Sequence, residues 1–207
     1  ILTYILDNVE DVSSICYQIT NSIKKQPNKY EPYYHLFGTT TLLDTVIVNK
    51  KLIKYYISPD SFSRINHTEA NHIYDTIFQL SHKNIKNNLI CIGRDINIPS
   101  QILNPYFRNT KCITHCPLIY HDLTYNIYIN DAFGYLKDKR LTHQFLNLLL
   151  TNNSTIVISA GRNGLNDQLI DLLVNTKYIT QIIYISCNIN SMKRNMELLL
   201  KSKYKIK

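Results

Sequence analysis

No stretch of the sequence approaches the roughly 20 consecutive apolar residues that a helix needs to cross a bilayer. The opening residues also lack the charged and apolar regions of a signal peptide. The expectation is therefore a soluble protein. The initiator methionine is missing too: the first residue is Ile1, so the chain reads as a piece of a longer one. Nor do the cysteines supply a framework. There are five, Cys16, Cys91, Cys112, Cys116 and Cys187, an odd number in unrelated contexts. That argues against a disulfide scaffold and for a reducing intracellular compartment, organelles such as the mitochondrion included. Cys112 and Cys116, with His115 and His121, match no standard zinc-ligand spacing and have no second knuckle, so no metal is expected.

What is present fits a globular chain: 207 residues, 44% hydrophobic and 18% charged, enough for one domain with a core and part of a second. A net charge of +8 and a pI near 9.2 point to an anionic partner such as nucleic acid. AT-rich codon usage, which favours Ile, Asn, Lys and Tyr, would raise the lysine content equally well.

Up to about Ile57 the chain reads as short strands and turns. ILTYIL, VSSICYQIT, LLDTVIV and KLIKYYIS are strand candidates, with Pro27 and Pro32 as breaks. NHTEANHIYDTIFQLSH then changes period. Ala70, Ile73, Ile77 and Leu80 fall at helical spacing, Asn66 is the expected N-cap and Glu69 completes a capping box. His67, His72 and His82 on or beside this helix read as surface or packing residues. Beyond it, apolar runs alternate with helical segments. NLICIG, CIT, YNIYIN, TIVIS and QIIYIS are expected strands, and PSQIL, THQFLNLLL, NDQLIDLLV and SMKRNMELLL expected helices. Such alternation implies a mostly parallel sheet covered by helices, with its site at the carboxyl ends of the strands.

Three stretches, in order, resemble one family. YYISPDSFSRIN (Tyr55 to Asn66) resembles the Ile-Ser-Pro-x-Ser-Phe-Phe-Gln-x-Asn segment through which the tRNA and rRNA (uracil-5-)-methyltransferases enter their catalytic domain. VISAGRNGL (Val157 to Leu165) occupies the place of their Asp-Pro-Pro-Arg-x-Gly-Leu loop. IIYISCN resembles their Val-Tyr-Val-Ser-Cys-Asn-Pro segment, which carries the catalytic cysteine, and YHLFGTTTLLDTV is similar to an upstream strand pair. The resemblance covers most of the chain and identifies a divergent member. It implies a class I, Rossmann-like α/β methyltransferase sheet with helices on both faces over residues 58–207. A β-rich part of a central domain would precede it over residues 1–57, and the family's C-terminal strands are missing from the sequence given.

The resemblance also implies site residues. Cys187 corresponds to the nucleophile, whose thiolate adds to C6 of uracil so that C5 can attack the methyl of S-adenosylmethionine before a base removes the C5 proton. A small buried residue at a strand end is the bland alternative for Cys187. Phe62, Arg64, Gly93, Asp131 and Ser159 correspond to cofactor positions. Arg64, Arg162, Lys193 and Arg194 would lie near the strand ends and contact the phosphates of a tRNA or rRNA.

Several of these positions depart from the family pattern. Its glycine-rich turn is here Cys91-Ile92-Gly93-Arg94-Asp95, with a single glycine and with Arg94 expected to project where a cofactor needs close backbone approach. The Asp of the loop is Ser159, its prolines are Ala160 and Gly161, and the Gln of the entry segment is Arg64. The family's basic Glu belongs to a segment later than Lys207. The leading expectation is thus an RNA-binding, degenerate member without methyl transfer, a structural part of an assembly of RNA and other proteins, with no membrane partner. Two other readings stand beside it: a working 5-methyluridine methyltransferase on tRNA or rRNA, and a protein-protein scaffold whose charge reflects codon usage.

Overall fold

A computed structural model describes residues 2–19, 33–59, 63, 64, 66–81, 86–114, 131–134 and 153–207, with backbone alone for 86, 87 and 131–134. The expected strand YNIYIN, the expected helix THQFLNLLL, the breaks at Pro27 and Pro32, and Phe62, His82, His115, Cys116 and His121 lie outside the described residues.

The first element corrects the sequence reading. ILTYIL was expected as a strand, but Leu2–Asn8 form a helix, α1. Leu2 and Ile5, three apart, are its two half-buried positions, a helical spacing that so short an apolar run cannot distinguish from a strand by composition. Two antiparallel ribbons follow. Strand β1 (Ser14–Gln18) pairs with β2 (Tyr33–Gly38), and β3 (Leu42–Val48) with β4 (Lys51–Ile57). Asn49 and Lys50 both take positive φ (49° and 61°), the two-residue turn whose twist matches that of a hairpin.

Helix α2 (His67–Ser81) begins where expected, with the Asn66 side chain accepting from the Glu69 N–H at 3.2 Å. Its inward stripe is rotated from the expected one. Ala70, Tyr74, Ile77, Phe78 and Ser81 are buried, Ile73 is half-buried and Leu80 is exposed, because the two aromatic rings bury more surface than the aliphatic positions beside them.

The sheet is five-stranded and parallel: β5 (Lys86–Gly93), β6 (Phe107–Thr114), β7 (Asp131–Gly134), β8 (Ser154–Ala160) and β9 (Ile179–Ser186), in spatial order β7-β6-β5-β8-β9. The order reverses direction between β6-β5 and β5-β8, so the switch point lies at the carboxyl end of β5, where open α/β sheets bind ligands. Alternate residues serve two cores. Leu89, Cys91, Val157 and Ile183 face α2 and helix α3 (Asn97–Leu103); Ile90, Ile92, Ile156 and Ile158 face helices α4 (Asp167–Asn175) and α5 (Ile189–Leu200). Near-continuous apolar strands are what burial on both faces requires.

Val46, Val48 and Tyr55 of the β3-β4 ribbon belong to the same core as α2 and β5. Among the described residues no helix is long and apolar enough to cross a membrane.

Candidate functional site

In-register pairing sets the ends of three strands side by side. Gly93 of β5 lies opposite Ser159 of β8, and Ala160 lies opposite Ser186 of β9, immediately before Cys187. One edge of the sheet thus collects the turn after β5, the Arg162 loop and the cysteine.

Gly93 has φ 122°, and a Cβ built there would stand 2.1 Å from the Ser159 carbonyl oxygen. The glycine is required by contact with the neighbouring strand. Arg94 is exposed. The expected obstruction comes instead from the next residue: Asp95 is only 4% exposed, and its carboxylate is engaged on both oxygens. Oδ2 accepts from Nε of Arg64 (2.7 Å) and lies 2.6 Å from its Nη2 in an ion pair, and Oδ1 accepts from the Tyr74 hydroxyl (2.7 Å), while the Arg64 guanidinium sits 5.9 Å from the Tyr74 ring centroid. Burial pushes the Asp95 carboxyl upward, against the pull of Arg64 and Tyr74. Burial works against the Arg64 cation as well, yet Asp95 and Tyr74 together outweigh it and raise the guanidinium further. Arg64 keeps its proton, and its guanidinium faces the Asp95 carboxyl through one hydrogen bond and an ion pair. Asp95 and Tyr74 were not singled out by sequence; the available signal was that the departures at 64 and 95 carry opposite charges.

The second part of the site is built from α5. Asn188 caps that helix through the Asn190 N–H (3.0 Å) and donates from Nδ2 to the Arg162 carbonyl (2.9 Å). Arg194 donates to the Asn163 carbonyl (3.0 Å). Fully buried Asn195 accepts from the Leu165 N–H (2.8 Å) and from the Tyr184 hydroxyl (2.9 Å). Gly164 has φ 73°, and a Cβ there would meet the Asn195 Oδ1 at 2.3 Å. The loop that carries Arg162 is thereby fastened to the segment that carries Cys187, and Cys187 itself is exposed.

Of the four cations named from sequence, Arg162 and Arg194 come together at this loop and are exposed. Lys193 is also exposed, on the side of α5 away from buried Ser191, Asn195 and Leu199. Arg64 is spent on Asp95. Asp131 opens β7 opposite Lys111, three residues before that strand's carboxyl end. Ser159 lies at the site edge through its pairing with Gly93. Among the described residues no group of three or more His, Cys, Asp or Glu side chains is arranged for a metal.

No protein-family model matches the chain. Similarity does extend along its length. An uncharacterised RNA methyltransferase of Bacteroides thetaiotaomicron is 23% identical over 212 residues, covering 100% of this chain and 45% of that protein. The tRNA (uracil-5-)-methyltransferase homolog B of Danio rerio is 24% identical over 181 residues, 85% of this chain and 37% of its own length. The similarity is to RNA methyltransferases, among them a tRNA (uracil-5-)-methyltransferase homolog. The fold agrees: the Pyrococcus abyssi tRNA (uracil-54, C5)-methyltransferase, solved with S-adenosyl-L-homocysteine, superposes with a TM-score of 0.67 at 16% identity, over 93% of this chain and 46% of that one. This places the parallel sheet in the class I methyltransferase fold. The chain spans less than half the length of the relatives it matches.

The methyltransferase cofactor can be tested against the residues present. The turn at the switch point holds a buried ion pair where close backbone approach is needed. Two cavities along the described surface lie elsewhere: one of about 360 Å³ beside Ser14, Cys16 and Ser58, the other of about 870 Å³ along β9 beside Ile179, Ile183 and Met196. Neither is lined by Gly93, Asp95, Ser159 or Cys187. Among the described residues, the charged pair at this turn does not fit the close backbone approach that the resemblance implies for S-adenosylmethionine.

Proposed function

We propose that the protein binds RNA as a degenerate relative of the uracil-5 methyltransferases, transferring no methyl group and acting as a structural component of an RNA-protein assembly. The observation that carries this reading is the Arg64-Asp95-Tyr74 network at the carboxyl end of β5, which fills the turn with charge that the chain itself neutralises. RNA as the partner is supported by the +8 charge, by exposed Arg162, Lys193 and Arg194 beside the strand ends, and by the RNA substrates in the names of the relatives. Calorimetry should detect no S-adenosylmethionine binding at cellular concentrations, while a tRNA or rRNA fragment binds. Micromolar affinity for the cofactor would sink this reading.

One observation favours the enzyme reading instead. Cys187 is exposed at the end of β9, next to a loop held by three side chains of α5 and its cap. A working enzyme acting on tRNA or rRNA would bind the cofactor and form a covalent adduct through that thiol. The same calorimetry separates the two.

A further inference from the structure

Resting on the degenerate reading, we infer that Arg64 and Asp95 form an internal zwitterion standing in for the charged amino-acid head of the methyltransferase cofactor. The site is closed by the chain's own charges, and removing the two together reopens it.

The two residues come from separate segments, one before α2 and one between β5 and α3, and meet at the switch point of the sheet. Each depends on the other. A carboxylate 4% exposed is tolerated only while hydrogen-bonded and paired, and here Arg64 supplies the opposite charge and one hydrogen bond, and Tyr74 another. Arg64 is less buried, with 21% of its side chain exposed, and its partner is the reason it points inward. The amino-acid head of the cofactor brings one ammonium and one carboxylate; the protein supplies one guanidinium and one carboxylate. Scaffolding around the pair is intact: Gly93 keeps its positive φ against Ser159, and α2 and α3 are packed on β5.

Single substitutions should therefore fail to open the site. Arg64→Gln leaves a buried carboxylate without its cation, facing the ligand's carboxylate, and Asp95→Gly leaves the Arg64 guanidinium facing the ligand's ammonium. The double variant Arg64→Gln/Asp95→Gly removes both charges and leaves a small residue at the turn.

The test is calorimetry and thermal melting with S-adenosylhomocysteine and S-adenosylmethionine. Wild type and both single variants should bind neither, and the double variant should bind with micromolar affinity and melt higher when ligand is added. Without ligand, Arg64→Gln should lower the melting temperature most, and adding Asp95→Gly should recover part of the loss. Arg64→Gln/Asp95→Asn, which keeps the shape and an acceptor for Tyr74, guards against misfolding of the glycine variant and should also bind. If either double variant melts cooperatively and neither binds, the inference is overturned while the degenerate reading stands. If wild type binds, the degenerate reading falls and takes the inference with it.

Discussion

Cys187 is exposed at the end of β9, while its neighbours are bonded to one another: the Asn188 N–H donates to Ser186 Oγ at 3.1 Å, and Ser186 Oγ donates to the Asn188 carbonyl at 3.1 Å. The hydrogen bonds that shape this turn are made by residues on either side of the thiol. Cys187→Ala should accordingly change stability by less than about 0.5 kcal/mol, the range of surface substitutions away from special features. In the degenerate reading it should also leave RNA affinity unchanged, and RNA containing 5-fluorouridine should form no covalent complex with wild type. A complex stable to denaturing electrophoresis and lost in Cys187→Ala would restore the enzyme. Cys187 was legible as a position because its flanking residues carry the resemblance; its exposure depends on where α5 starts.

The element that organises the site edge is α5, whose first turns reach back to the loop after β8. Asn195 is its buried anchor. Asn195→Ala would leave the buried Leu165 N–H and the half-buried Tyr184 hydroxyl without their acceptor, at roughly 1–3 kcal/mol for the buried N–H. Urea denaturation should show a lower midpoint with an unchanged slope, since the surface exposed on unfolding stays the same. Gly164→Ala should act on the same contact from the other side, because its Cβ would collide with Asn195 in a backbone conformation that disfavours a side chain. An unchanged midpoint in both variants would show that the loop is held by Asn188 and Arg194 alone. The segment SMKRNMELLL was legible as an amphipathic helix from its period. That Asn195 is its buried polar residue was not, since nothing local marks an asparagine as the partner of a loop thirty residues earlier.

Across the whole molecule, the +8 charge becomes a prediction about ionic strength. RNA affinity should fall steeply with salt, and each arginine that contacts a phosphate should account for a slope of roughly 0.7 in log affinity against log salt for a single strand. Arg162→Ala and Arg194→Ala should each reduce that slope. Arg64→Gln should not, because its charge is already matched by Asp95. Filter binding from low to moderate salt checks this, and a slope insensitive to both Arg162→Ala and Arg194→Ala would reduce the basic charge to codon usage.

Periodicity by itself determined the α/β character, the capped helix after Asn66 and the strands NLICIG, CIT, TIVIS and QIIYIS, because burial on both faces of a parallel sheet writes apolar runs directly into sequence. Motif order placed Arg162 and Cys187 at one edge, since parallel strands bring their carboxyl ends together whatever lies between them. Tertiary structure alone decided the rest. It turned ILTYIL into a helix, rotated the inward stripe of α2 toward Tyr74 and Phe78, and joined the β3-β4 ribbon to the core of the sheet. It also paired Arg64 with Asp95, thirty-one residues apart. Period and motif are properties of neighbours along the chain, whereas an ion pair at a switch point exists only once distant segments have been packed against the same strand.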